Sequence, residues 1–458
     1  MIMVSKVQKR ILRMGLAFAV SALMAAAPAL ADSFKQALLN AYRSNPTLQG
    51  DRARQRGTDE LVPAAKSGWR PTITAQGTIS RNFSDTNPGS SSVSHPKNLT
   101  IQLNQPLFRG FKTVEGVAQA KETVEAGRQG LLATEQNVLL GAVEAYMNVV
   151  RDRRILELRN QNVVNLQRQA SAAQARFNAG EVTRTDVSQA RARVSGAKSL
   201  VATAQASLAD SSSRYAAIIG NKPGKLSNAP VANMPKSLEA SLSCARSINP
   251  NILAAMHTPL AQEHGVEVTK GDLLPQASLQ ATASLTADPA NGIETSRSAE
   301  ISGVVTVPIY EAGRTYAAVR QAKQIESQRR IEVIGATRGV VQGVTSAWYF
   351  VSAARQAISS AKAQVSASLE ALNGVRQEYL VGSRSTIDVL NAEQEMINSR
   401  ISLVVAEHDL VVASYQLLAA VGKLTARNLN LGGPYYDVKE NYNAVTDKWI
   451  GTDVETVQ

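Results

Sequence analysis

Phe177-Asn-Ala-Gly-Glu-Val-Thr-Arg-Thr-Asp186 and Tyr379-Leu-Val-Gly-Ser-Arg-Ser-Thr-Ile-Asp388 decide the fold of this chain. They are the same turn written twice, 202 residues apart: an aromatic residue, then a glycine, then an aspartate. Gly180 and Gly382 stop an incoming helix, because glycine adopts the left-handed conformation at least cost. Thr183 on one turn, and Ser383 or Ser385 on the other, can cap the outgoing helix. Asp186 and Asp388 fall in or near its first turn, where the macrodipole favours an acid. Capping explains these positions but not Arg384, not Asn391 one turn beyond Asp388, and not the matched aromatics. If several such turns converge on an axis, their acids form a ring that attracts cations and can take part in a gate.

On either side of each turn the sequence is a seven-residue repeat. Ala142, Val149, Leu156, Val163, Ala170 and Phe177 lead into the first turn, and Val344, Val351, Ile358, Val365, Leu372 and Tyr379 into the second. Val187, Val194, Val201, Leu208 and Tyr215 lead out of the first, mirrored by Val389, Met396, Leu403, Leu410 and Leu417. A strict heptad over this length implies supercoiled helices meshing side by side. The companion positions are small (Ala190, Ala197, Ala204 and Ala392, Ser399, Ala406), which suits helices that touch more than one neighbour. Lys112 to Arg176 would reach about 98 Å as helix, and Arg184 to Ile219 only about 54 Å. The opening segment, Asp32 to Leu61, supplies the missing length if it stacks end to end with the shorter helix.

Further out, the duplication continues. Asn45-Pro46 recurs as Asn249-Pro250, Pro71 as Pro275 and Pro106 as Pro308, at offsets of 204, 204 and 202 residues. Pro71 to Ser80 and Leu99 to Gln105 alternate apolar or small with polar residues around a Ser/Asn/Gly/Pro-rich loop, and so do Gln276 to Leu285 and Ile301 to Val307. Each run has the period of two and roughly the ten-residue length of a transmembrane β-strand. Soluble half-buried strands share that pattern. Four of them in an exported chain without an apolar helix favour the membrane. Four strands cannot close a barrel, and an open edge is not tolerated in hydrocarbon, so further copies of the chain are expected to complete it.

Residues 1–31 have the layout of a secretory signal peptide: Lys6, Lys9, Arg10 and Arg13, then an apolar stretch ending in Ala29-Leu30-Ala31. Its removal lowers the formal charge from +12 to +8. That mild excess is dispersed among acids and lacks the interleaving of a nucleic-acid surface, so no nucleic-acid partner is expected. Cys244 is the only cysteine, which excludes an internal disulfide. The four histidines, His95, His257, His264 and His408, are scattered. Neither a phosphate loop nor a nucleophile elbow occurs. No enzyme activity, metal or cofactor is expected, and energy for transport must come from a partner.

The chain thus divides into a signal peptide, 1–31; a first repeat, 32–219, with strands at about 70–82 and 98–107 and helices at about 112–176 and 184–219; a connection, 220–235; a second repeat, 236–422, with strands at about 274–287 and 299–308 and helices at about 314–378 and 384–421; and an extension, 423–458. The connection reads as a surface segment, and the aperiodic tail from about Gly432 as loosely held.

The duplicated plan, Gln105-Pro-Leu-Phe-Arg-Gly110, its echo Val307-Pro-Ile-Tyr-Glu-Ala-Gly313, and Tyr379 to Leu390 resemble the TolC-type outer-membrane efflux and secretion channels, over essentially all of residues 32–430. The resemblance implies a mixed α/β membrane protein: a homotrimer whose twelve-stranded transmembrane β-barrel, four strands per protomer, continues into a coiled-coil α-helical tunnel in the periplasm. It implies a passive exit duct in the outer membrane of a Gram-negative cell, in contact with outer-membrane lipid. Its partners would be a periplasmic adaptor (membrane fusion) protein and an inner-membrane RND or ABC transporter of a multidrug efflux or type I secretion system. Carried over by position, Asp388 matches an acid lining the periplasmic mouth. Arg384 and Tyr379 match residues that hold the mouth closed, and Asp186 matches their partner. Asn391 stands where the family's archetype has a second acid. The turns at Gly180-Glu181 and Gly382-Ser383 match the tips that meet the adaptor. The competing reading is an exported coiled-coil structural or adhesin-like protein without channel activity.

Overall fold

The computed structural model describes residues 33–454, apart from 86, 90, 291 and 292; the signal peptide expected over 1–31 lies outside the described residues. Each repeat begins with short helices broken at an Asn-Pro. In the first these are α1 (Phe34–Ser44), α2 (Pro46–Asp59) and α3 (Leu61–Lys66). Strands β1 (Thr72–Ile79), β2 (Asn82–Ser84), β3 (Ser92–Ser94) and β4 (Lys97–Arg109) follow, then α4 (Lys112–Asn178) and α5 (Arg184–Ile219). The second repeat has α6 (Leu238–Ile248), α7 (Pro250–Lys270), β5 (Gln276–Ala290), β6 (Ile293–Thr306), α8 (Arg314–Leu380) and α9 (Thr386–Val421), with α10 (Glu440–Val445) in the extension.

Helices α4 and α8 have 67 residues each, about 100 Å of helix. The 36-residue α5 and α9 reach about half as far. The break residues join the halves. Asn45 caps α2 by accepting from the Thr47 amide at 3.0 Å, and its side-chain amide donates to the Ile218 carbonyl at 3.0 Å. Asn249 accepts from the Asn251 amide at 2.9 Å and donates to the Ala420 carbonyl at 2.8 Å. Each asparagine therefore satisfies orphan groups of one helix start and one helix end. Short helices stack end to end beside the long one in both repeats.

The strands form one antiparallel sheet, in the order β1-β4-β5-β6, and β2 and β3 make a separate short ladder at the first hairpin tip. That ladder lies inside the segment read as a loop. Strand β6 begins well before the predicted residue 299 because Glu294, Ser296 and Ser298 continue the alternation on a polar hairpin arm. Residues directly opposite one another share a face, so the register sorts the sheet into rows. Ile73, Leu103, Ala281 and Ile301 form one row, and Ala75, Ile101, Ala283 and Ala299 the next. On the other face stand Thr74, Gln102, Thr282 and Glu300, and Gln76, Thr100, Ser284 and Ser298. One face is apolar, the other polar. Arg297, opposite Leu285, breaks the apolar face near the hairpin end. Within one chain β1 and β6 each keep an unpaired edge.

The two repeats meet at the sheet-to-helix corner. Gly110 has a left-handed φ of +60°, and a Cβ there would lie 2.4 Å from the Gly271 carbonyl oxygen. Only glycine permits that approach. Half way down the helices the main core gathers Phe34, Tyr146 and Tyr415, with ring centroids 5.2 and 5.4 Å apart around Phe34, together with Tyr215, Leu139 and Val143. Two expectations are corrected here. The inter-repeat connection is partly buried: Ala229 and Ala232 enter this core, and Ser227 accepts from the Tyr146 hydroxyl at 2.8 Å. The extension is tied down, not loose. Within the tail from Gly432, Val445 is buried, and the Tyr436 amide donates to the Tyr42 hydroxyl at 3.0 Å. Neither segment carries a helical or strand period, because each is anchored by single residues matched to different helices.

Helix α9 is the one described helix long and apolar enough by composition to cross a membrane. Half of its apolar window is buried against α4 and α8, and it is an inner helix of the bundle.

Candidate functional site at the helical turns

Both turns fold as their residues direct. Gly180 and Gly382 take φ of +79° and +80°, and the outgoing helices start at capping boxes. In the first, Asp186 accepts from the Thr183 amide at 2.9 Å and the Thr183 hydroxyl at 2.7 Å. In the second, Asp388 accepts from the Ser385 amide at 3.0 Å and the Ser385 hydroxyl at 2.7 Å. Ser385, not Ser383, is the cap; the Ser383 hydroxyl donates to the Glu378 carbonyl at 2.9 Å. These bonds satisfy free amides at the helix start. The Ser385 hydroxyl and amide, helped by the nearby Arg384 charge, hold the Asp388 carboxyl below its ordinary range.

Beyond the capping box, the turns differ. Arg384 pairs with Glu378 at 2.7 Å, both half exposed, and the contact keeps the guanidinium proton more firmly than usual. The Tyr379 hydroxyl lies 3.3 Å from the Thr386 hydroxyl, and the Arg176 guanidinium carbon stands 4.8 Å from the centroid of the Tyr379 ring. Asn391 accepts from Arg193 at 2.9 Å. Arg176 and Arg193 belong to the first repeat, Tyr379 and Asn391 to the second. Two arginines of one helical pair therefore grip the other pair at its tip. One turn inward, Arg376 meets the buried Glu393 at 2.7 Å.

Tyr379, Arg384, Asp388 and Asn391 thus share one turn and its outgoing helix. Asp186 sits on the adjacent turn, bonded within its own box, and within one chain it bonds neither Tyr379 nor Arg384. Sequence reading passed over Arg176, Arg193, Glu378 and Arg376. Only Glu378, beside Tyr379 and close to Arg384, carried a local signal; the arginines reach across helices, which spacing along one helix does not reveal. Gly180, Glu181, Gly382 and Ser383 form exposed tips, and the second tip also presents Leu380 and Val381, 67% and 80% exposed. Among the described residues no group of three or more His, Cys, Asp or Glu is placed to hold a metal.

A small sheet with one apolar face thus leads into two helical hairpins that end together in charged turns. The family model "Outer membrane efflux protein" matches residues 37–221 and 242–423, and the chain belongs to that family. It is 39% identical to the outer membrane efflux protein BepC of Brucella suis over 92% of each chain, and 26% identical to TolC of Escherichia coli over 87% of this chain and 84% of that one. Its fold is similar to that of the Campylobacter jejuni CmeC outer membrane channel, with a TM-score of 0.78 at 16% identity over 90% and 89% of the two chains. The chain is accordingly a non-catalytic outer-membrane channel of the efflux and secretion type. As a family member it takes part in tripartite systems with an adaptor and an inner-membrane transporter.

Proposed function

We propose that three copies of this chain close a twelve-stranded barrel through the outer membrane and a twelve-helix tunnel below it, gated at the turns around residues 379–391. The observation that carries the reading is the registered sheet. Its rows are apolar on one face and polar on the other, as a wall between lipid and a wet bore requires. Its edges, β1 and β6, are left for neighbouring copies, and hydrocarbon permits no free edge. The helices give the same indication: Ile331, Ile334 and Tyr349 of α8 are exposed within one chain.

At the gate, Arg176–Tyr379 and Arg193–Asn391 hold the second helical pair against the first, and Arg384–Glu378 braces the second turn itself. These contacts are exposed and individually weak, which suits a lock that a partner must open. Asp388 carries the negative charge at the mouth. Asn391 contributes none, so the mouth has a single acid ring at this level and weak affinity for divalent cations. The tips at Gly180-Glu181 and Gly382-Ser383, with the apolar knob of Leu380 and Val381, are the adaptor-docking surface. The reading favours release of solute down the bore, with opening by outward movement of α8 and α9.

Single-channel conductance in planar bilayers tests the whole reading. The wild-type protein is expected to show small, cation-selective openings, and Arg384→Ala with Arg176→Ala larger ones. Absence of any conductance from a heat-modifiable outer-membrane preparation would reject the channel reading in favour of a structural coiled coil.

A further inference from the structure

The C-terminal extension climbs the outside of the molecule from its waist to the base of the sheet. Its first anchor is the Ala426 amide, which donates to Glu135 at 2.7 Å. Burial holds the Glu135 carboxyl above its ordinary range. Higher up, Arg52 is sandwiched between the rings of Tyr42 and Tyr436, at 4.5 and 5.0 Å. Asn441 donates to Asp59 at 3.0 Å, and Tyr442 covers the Arg128 guanidinium at 4.8 Å. Glu135 and Arg128 lie on α4 at successively higher levels, so the strap ascends with that helix towards its start at Lys112. Lys66 then pairs with Asp447 at 2.7 Å. At the top Arg70 donates to the Lys448 carbonyl at 3.0 Å and lies 4.5 Å from the centroid of the Trp449 ring.

Arg70 is followed by Pro71 and by β1 at Thr72. The strap therefore delivers Trp449 to the level at which the strands begin. There Trp449 is 66% exposed and Ile450 90% exposed, and Trp69, the residue before Arg70, is half exposed. A segment held by successive side-chain anchors gains nothing from turning a tryptophan and an isoleucine into water. Aromatic rings flanked by cations are the side chains that settle at a membrane–water boundary, where one end meets acyl chain and the other headgroup. Arg70, Lys66 and Lys448 supply cations at this level.

We propose that the C-terminal strap places Trp449 and Ile450 in the headgroup layer of the periplasmic leaflet of the outer membrane, as a phospholipid-contacting anchor at the foot of the barrel. The inference rests on the barrel reading above, since the strands fix where the membrane lies. It assigns the extension a purpose: it couples the membrane boundary to the waist of the tunnel through one continuous tie.

The test uses the full-length protein in bilayers with Trp69→Phe and Trp348→Phe, leaving Trp449 as the only tryptophan, and phospholipids brominated either near the glycerol or near the bilayer centre. Heat-modifiable migration first verifies assembly. Trp449 fluorescence should be quenched strongly by the shallow bromine and weakly by the deep one. A control adds Trp449→Phe and Ile101→Trp, which reports on the apolar face of β4 and should be quenched by the deep bromine. If the control is quenched and Trp449 is quenched at neither depth, the anchor is overturned while the barrel stands. If the control is not quenched, the barrel reading fails first, and the anchor with it.

Discussion

Helices α4 and α8 have the same length and the same place in the two repeats, yet they are buried very differently. Helix α4 packs on both sides along its length, from Val117 and Val124 through Leu139, Val143 and Tyr146 to Leu166 and Ala173. The buried residues of α8 form one narrow stripe, chiefly Val344, Ala347, Val351, Ala354, Ala361 and Leu372, facing α9. Its remaining surface carries Ile331, Tyr349 and Phe350 in the open. Similar heptads thus build an interior helix in one repeat and an edge helix in the other. In the trimer proposed above, the difference assigns the seam to α8: α4 holds one protomer together, and α8 is the side left for the next copy.

The contrast is broken most severely from the α4 side. Tyr146 is fully buried, packs edge-on against Phe34 and exchanges hydrogen bonds with Ser227, so Tyr146→Ala removes both the packing and those bonds. The expected cost is about 3–5 kcal/mol. Thermal denaturation followed by circular dichroism should show a large drop in the melting temperature of the protomer itself. An unchanged melt would mean that the waist is not the core of the fold.

The next perturbation belongs to α8. Tyr349 is 62% exposed in one chain and lies two residues from Val351, so it points away from the α9 seam. Tyr349→Asp should leave the helical content of the protomer intact while abolishing the trimer, read by light scattering in detergent. A trimer of wild-type stability in the Tyr349→Asp variant would show that this face lines solvent and that the seam lies elsewhere.

These two helices also show what was legible in the sequence. The heptads, the duplicated turns and the alternating strands are local patterns, and each marked an element of the right kind. Burial along α4 and α8 is not local. Their repeats are similar, and nothing in the spacing of Val344 and Val351 distinguishes an edge helix from an inner one. The same limit applies at the turns. Gly180, Gly382, Asp186 and Asp388 were visible because capping is written into consecutive residues. Arg176 over Tyr379 and Arg193 on Asn391 join residues about 200 positions apart in chain, and only the packing of the two hairpins brings them together. The extension is the extreme case: its anchors are single residues, Tyr436, Asn441 and Asp447, each matched to a different helix.

At the tips the comparison becomes one between two turns of almost the same sequence, and the effects become smaller. The Arg176–Tyr379 contact is the inter-repeat link nearest the first turn. A double-mutant cycle with Arg176→Ala and Tyr379→Leu should give a coupling of about 0.5–1 kcal/mol, the range for exposed cation–π pairs. Read as open probability, that predicts a modest rise for either single variant and little more for the pair. Additive effects would show that the two residues act separately on the gate.

The finest distinction is between Asp388 and Asp186, which make the same capping box while only Asp388 has Arg384 beside it. Because the folded-state value of Asp388 is depressed, its cap is fully present above the unfolded aspartate value and is lost only as pH falls through the lower, folded one. The group is exposed, so the effect on global stability is small and the local readout is the useful one. Hydrogen exchange at the Ser385 and Asp388 amides should stay slow as the medium is acidified through the ordinary aspartate range. In Arg384→Ala the onset of fast exchange should move to higher pH, but only slightly, because the Ser385 bonds contribute more than the arginine. An onset that does not move would separate Arg384 from Asp388 and leave its pairing with Glu378 as its whole contribution to the turn.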